Sequence, residues 1–115
     1  MTVPSVDWSR VPWQAIRPGI ERKAFTAGGC TLALNRLSPG FAPGPHSHPH
    51  AQTVYIIAGT LDLRVGTEIH RLGPGSVLYV PPHVEHGAVA VIGDEPCLNL
   101  DVFVPARPEY AAPLA

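Results

Sequence analysis

Eleven glycines and fourteen prolines fall at short intervals along 115 residues, and no other feature of this chain limits its fold so severely. They make breaks at Pro18-Gly19, Gly28-Gly29, Pro39-Gly40, Pro43-Gly44-Pro45, Gly59, Gly66, Gly73-Pro74-Gly75, Pro81-Pro82 and Gly93-Asp94. Proline lacks an amide hydrogen and glycine costs backbone entropy, so a long helix cannot pass through this spacing. Between the breaks lie stretches rich in β-branched, aromatic and leucine residues: 21–27, 31–37, 53–58, 60–65, 68–72, 76–80, 87–92 and 98–104. About eight short strands joined by tight turns predict an all-β sandwich, jelly roll or small barrel. Residues 61–65 and 68–72 alternate in character across the two-residue Gly66-Thr67 turn and read as a hairpin.

A chain this long supports one core, so a single domain is expected. We divide it into an N-terminal extension (1–20) that packs on the barrel or on a partner, the barrel (21–104) and a C-terminal tail (105–115). The formal charge is −1, and the longest basic run is Arg22-Lys23. Nucleic acid is not an expected partner, because its recognition needs a concentrated basic face. The N-terminus has no charged start before an apolar stretch, and no segment approaches eighteen uninterrupted apolar residues. We therefore expect a cytoplasmic protein with no membrane partner. Cys30 and Cys97 stand far apart and outside any C-x-x-C pair, which predicts two ordinary buried thiols rather than a disulfide or a thiolate zinc site. In 53–58, Val54 and Ile56 lie on one face while Tyr55 and Ile57 lie on the other, so both faces call for cover. A small barrel cannot cover its own outer face, so a homodimer is expected.

The chemistry concentrates in Pro45-His46-Ser47-His48-Pro49-His50-Ala51-Gln52. In an extended segment alternate side chains share a face, which puts His46, His48, His50 and Gln52 on one side. Pro49 favours that extension, because it restricts the residue before it to β-like geometry. His86 on another strand supplies a further nitrogen. The expected cofactor is one divalent transition metal ion held by His46, His48, Gln52 and His86. Zinc, nickel, manganese, cobalt and iron all accept such donors. A neutral amide in place of a carboxylate leaves the ion its full charge, which favours Lewis-acid and proton-transfer chemistry over dioxygen chemistry. On the last strand Asn99, Asp101 and Phe103 share one face. An unpaired carboxylate there is costly to bury, so Asp101 faces either the metal cavity or an arginine. Arg107 could clamp a substrate carboxylate, or it could pair with Asp101.

These residues carry a resemblance to the cupin superfamily. Its first motif is matched by Gly40, His46, His48, Gln52 and Gly59, with Gln in the usual Glu place. The second is matched by Gly75, Pro81 and His86, with His83 where a glycine is usual and Ala90 where an asparagine is usual. The resemblance covers roughly 21–104 and implies a double-stranded β-helix, or jelly-roll barrel, with the metal inside its mouth. The runs His46–Gln52, Val80–Gly87 and Asp101–Arg107, with Trp13 and Arg22-Lys23, further resemble the KdgF family of pectin and alginate degradation. That likeness implies a metal-dependent, ring-opening isomerase or lyase type of enzyme. Its substrate would be a small carboxylated sugar, a 4,5-unsaturated uronate, converted to the linear keto form, with Asp101, Phe103 and Arg107 at the active site. The alternatives are a metal-dependent oxygenase and a non-catalytic sugar-binding or sensor cupin. His50 and His83 are expected at the mouth as exposed imidazoles.

Overall fold

The computed structural model of the chain describes residues 3 to 110; residues 1–2 and 111–115 of the two terminal segments lie outside that range. Nine strands run β1 (Gln14–Arg17), β2 (Ile20–Ala27), β3 (Cys30–Leu37), β4 (Ala51–Ala58), β5 (Leu61–Val65), β6 (Glu68–Leu72), β7 (Val77–Val80), β8 (His86–Val91) and β9 (Cys97–Val104). Eight of them coincide, to within a few residues, with the stretches between the Gly/Pro breaks. The ninth, β1, lies in the N-terminal extension and pairs antiparallel with β2. Its four residues carry no alternation that marks them in the sequence.

The strands form two antiparallel sheets, of order β1-β2-β3-β9-β4-β7 and β6-β5-β8. This is the jelly-roll arrangement of a cupin. The hairpin at Gly66-Thr67 pairs Val65 with Glu68, and Gly66 takes the positive φ of 60° that its turn requires. Between the sheets pack Ile20, Leu37, Phe41, Val54, Ile56, Leu61, Leu63, Leu72, Val80 and Cys97. Gly59 lets two chain segments meet there, since a methyl group on it would lie 2.5 Å from the Pro96 carbonyl oxygen. Both cysteines are free, with Cys97 fully buried. Among the described residues, no helix is long and apolar enough to cross a membrane.

Strand register decides what faces the interior. Across β2, β3, β9 and β4 the inward rows are Thr26-Thr31-Phe103-Gln52, then Ala24-Ala33-Asp101-Val54, then Arg22-Asn35-Asn99-Ile56. Asp101 and Val54 of the middle row, with Arg22, Asn35 and Asn99 of the last, line a cavity at this level. On the outer face Tyr55 and Ile57 are about two-fifths exposed, and Val77 and Tyr79 of β7 more so. The single chain leaves this apolar face uncovered.

Candidate metal centre and its cavity

His46 and His48 come from the loop that leads into β4, Gln52 from the start of β4, and His86 from the start of β8. Loop and strand are tied together by reciprocal bonds. The His46 amide donates to the His86 carbonyl, and the His86 amide donates to the His46 carbonyl, both at 2.9 Å. Gly87 permits this approach, because a Cβ there would stand 3.0 Å from Pro45 Cα. On the other side the His83 amide donates to the His48 carbonyl at 2.8 Å. His83 has φ of 68°, the left-handed conformation for which glycine is the least strained residue. The motif glycine that His83 replaces thus has a backbone reason.

The donor atoms of His46, His48 and His86 lie within 4.8 Å of one another. Their other ring nitrogens fix the tautomers. Nδ1 of His46 meets the Gly44 carbonyl at 2.9 Å, Nδ1 of His48 the His50 carbonyl at 2.9 Å, and Nδ1 of His86 the Val84 carbonyl at 2.8 Å. A carbonyl only accepts, so each Nδ1 is the N–H and each Nε2 presents a lone pair. Burial holds His48 and His86 below the ordinary histidine range, which keeps them neutral.

Two observations show that this arrangement fits a cation. The buried Nε2 of His86 has no hydrogen-bond partner among the described residues. The Nε2 of His48 stands 3.0 Å from Oε1 of Gln52, two lone-pair atoms side by side. Three imidazoles and an amide oxygen are a donor set that a first-row divalent ion satisfies. His50 departs from the sequence expectation of an exposed imidazole: it is half-buried, with its ring 5.6 Å from that of His48 and 6.4 Å from that of Phe103, and its carbonyl orients His48.

The cavity beside this cluster has a volume of about 80 Å³, and His46, Gln52, His86, Asp101 and Phe103 line it. Asp101 is held by two amides: Asn35 Nδ2 donates to Oδ2 at 2.8 Å and Asn99 Nδ2 to Oδ1 at 2.9 Å. Burial pushes its carboxyl up to about 6, opposed by hydrogen bonding from Gln52, the charge of Arg22 and the two asparagine amides. Phe103 is almost fully buried and meets the His48 ring edge-on at 5.5 Å. Arg107 does not pair with Asp101. Its Nε donates to Glu109 at 2.8 Å, and its guanidinium sits over Phe103 at 4.9 Å and Tyr110 at 4.0 Å. Its NH1 is buried without a partner among the described residues.

Sequence reading missed Arg22, Asn35 and Tyr110, which also line the cavity. A usable signal was present for the first. Ile20, Arg22 and Ala24 share a face of β2, and a charge between two buried apolar residues marks a polar interior.

The fold and its histidine cluster define a class, and comparison with known proteins agrees: the Cupin domain family matches residues 33–103, so the chain belongs to the cupins. Within them it is KdgF-like. It is similar to the structure of KdgF from Halomonas sp., with 32% identity and a TM-score of 0.83 over 94% of this chain and 98% of that one. It is also similar to the pectin degradation protein KdgF of Dickeya dadantii, 27% identical over 101 residues, which are 86% of this chain and 90% of that one. An RmlC-like cupin from Shewanella frigidimarina superposes with a TM-score of 0.84 at 25% identity, over 96% of this chain and 97% of that one.

Proposed function

We propose that the protein converts 4,5-unsaturated uronate monosaccharides, the products of polysaccharide lyases, to their linear keto form. One observation carries the reading: an amide-clamped carboxylate, Asp101, lines one cavity with His46 and His86, two of three converging imidazoles, in a KdgF-like cupin. His46, His48, Gln52 and His86 would hold one divalent ion, of which zinc, nickel, manganese, cobalt and iron are the candidates. Such an ion supplies Lewis-acid polarisation of sugar oxygens.

The reaction is an isomerisation, so no other reactant is needed. The hemiacetal hydroxyl loses its proton, the bond from the anomeric carbon to the ring oxygen breaks with its electron pair passing to that oxygen, and an aldehyde and an enolate remain. The enolate collapses to a ketone as its carbon C4 takes up the proton. Asp101 is assigned both transfers, accepting the first proton and delivering the second. A carboxyl displaced upward by burial suits that exchange near neutral pH, and Asn35 and Asn99 fix its direction. Phe103 provides an apolar wall against the sugar. Arg107 offers an unpartnered buried N–H to the substrate's polar groups and braces Phe103.

The assay is loss of the ultraviolet absorbance of the conjugated enol-ether acid on adding metal-loaded protein. Asp101→Asn is expected to slow it by about a hundredfold or more, the usual worth of a general acid–base group. Wild-type protein that does not accelerate the loss over buffer would sink the proposal, and oxygen uptake would be measured next. We also propose a homodimer that covers Tyr55, Ile57, Val77 and Tyr79. Light scattering of wild type against Tyr79→Arg checks it, a monomeric wild type being the adverse result.

A further inference from the structure

Arg22 sits in the row Arg22-Asn35-Asn99 on the inner face of the large sheet and lines the cavity. Its Nε donates to Asn35 Oδ1 at 3.0 Å, and its guanidinium lies flat enough on Tyr110 to bring Cζ within 3.8 Å of the ring centroid. Among the described residues, no carboxylate oxygen lies within 4.0 Å of it. Arg22 is thus a half-buried cation with one N–H spent on a neutral amide and the rest of its fork free. Arg17 also lines the cavity, but its Nε is committed to the Ala42 carbonyl at 2.7 Å. Arg107 spends Nε on Glu109 and keeps a buried NH1 without a partner among the described residues, but it is not among the residues that line the cavity and lies instead over the same Tyr110 ring as Arg22. Arg17 and Arg22 therefore line a small cavity that also holds the Asp101 carboxylate, with Arg107 against the Tyr110 ring.

Asn35 connects the two kinds of charge. Its Oδ1 accepts from Arg22 while its Nδ2 donates to Asp101, so rotating either partner disturbs the other. An anion on the free edge of Arg22 would stand one amide away from the proton carrier.

We infer that Arg22 binds the carboxylate of the substrate through its free guanidinium edge, and that Asn35 is a positioning residue that couples this contact to Asp101. The inference rests on the uronate reading and deepens it by assigning the acid group a place. It turns specificity into a charge requirement: the cavity selects sugar acids over neutral sugars, because only a carboxylate can form a charge-assisted, bidentate pair with the free fork.

The experiment compares metal-loaded wild type, Arg22→Gln and Arg22→Lys on the unsaturated uronate and on its methyl ester. Arg22→Gln should lower kcat/KM for the acid by about tenfold to a hundredfold, mostly through KM, as expected for loss of a charge-assisted pair. It should leave the ester within about threefold. Arg22→Lys, which keeps the charge but not the fork, should fall between, and it stands in if the glutamine variant melts early. An unchanged acid-to-ester ratio in both variants overturns the inference while leaving the function intact. If wild type turns over neither sugar, the uronate reading itself fails. Calorimetry with saturated galacturonate and galactose then decides Arg22 separately: selective loss of the acid supports the arginine, and equal binding by variant and wild type overturns it.

Discussion

Gly87→Ala tests whether the metal histidines are positioned by backbone contact rather than by their own side chains. Gly87 has no positive φ, so alanine adopts its backbone without strain and the effect is steric alone. The added methyl carbon would stand 3.0 Å from Pro45 Cα, 3.4 Å from Pro45 N and 3.5 Å from Pro45 Cβ. Carbon pairs rest at about 3.5–4.0 Å, so the two backbones must part by roughly 0.5 Å. Pro45 is rigid and joined to His46, whose two bonds to His86 are 2.9 Å long. Parting by that amount takes them to about 3.4 Å, near the limit at which they still count. Metal sites tolerate about 0.2 Å, so the loss should be visible at the ion as well as in the fold. Overpacking of this kind costs about 1–3 kcal/mol, partly offset by the lower entropy of the unfolded alanine chain. We expect the metal-free melting temperature to fall by about 5–10 °C. Metal affinity, read by competition with a chromogenic chelator, should fall about 10- to 100-fold. A variant that melts with the wild type and binds metal within twofold of it would refute the reasoning.

Three further outcomes follow from single observations. Saturating zinc or nickel at about a hundred times Kd should stabilise the wild type by about 2.7 kcal/mol, and thus by about 10 °C or more. His86→Ala should abolish that rise, whatever it does to the metal-free melt; a retained rise would show that His86 is not a ligand. His83→Gly relieves a left-handed side-chain residue and should raise the melting temperature by about 3–5 °C, whereas His83→Val should lower it; differential scanning fluorimetry reads both, and the reverse order would contradict the strain. Burial pushes the Cys97 thiol up to about 11, while Cys30 is only partly buried. A thiol reagent at pH 8 should therefore titrate one sulfur per native chain and two in denaturant; two fast sulfurs in the native protein would contradict the packing of Cys97.

The strands were legible because punctuation is local: a turn residue marks its own position, and eight stretches between the Gly/Pro breaks became strands. The short β1 was not, because its pairing with β2 is decided by an edge that only the folded sheet presents. The histidine pair His46 and His48 could be read from spacing, and His86 from the second motif. His50 was expected to be exposed and is half-buried instead, because its ring packs beside His48 and Phe103, neighbours that its own place in the chain does not reveal. Arg22 and Asn35 were hidden for a different reason. Each is an ordinary polar residue in its own strand, and only the register Arg22↔Asn35↔Asn99 brings them into one row. Such rows are properties of pairing, which a single strand does not encode.

That register also gives a reason for Gln52, the departure from the usual cupin glutamate. A glutamate would supply an oxygen to the metal equally well, so metal binding alone does not select the amide. Gln52 serves two partners with different ends, however. Its Oε1 lies 3.0 Å from His48 Nε2, and its amide is among the groups that oppose the upward push of burial on the Asp101 carboxyl. A carboxylate accepts only, so the contact with Asp101 requires the N–H of an amide. Gln52→Glu would put two acceptors face to face in a buried cavity and remove the donor from Asp101. We expect the variant to retain the metal, with a melting rise on zinc or nickel like that of the wild type. Turnover of the unsaturated uronate should nevertheless fall by about tenfold to a hundredfold, because the proton carrier exchanges a neutral amide neighbour for a second carboxylate. Full activity in the glutamate variant would mean that Gln52 answers to the metal alone and that Asp101 is positioned by Asn35 and Asn99 without it.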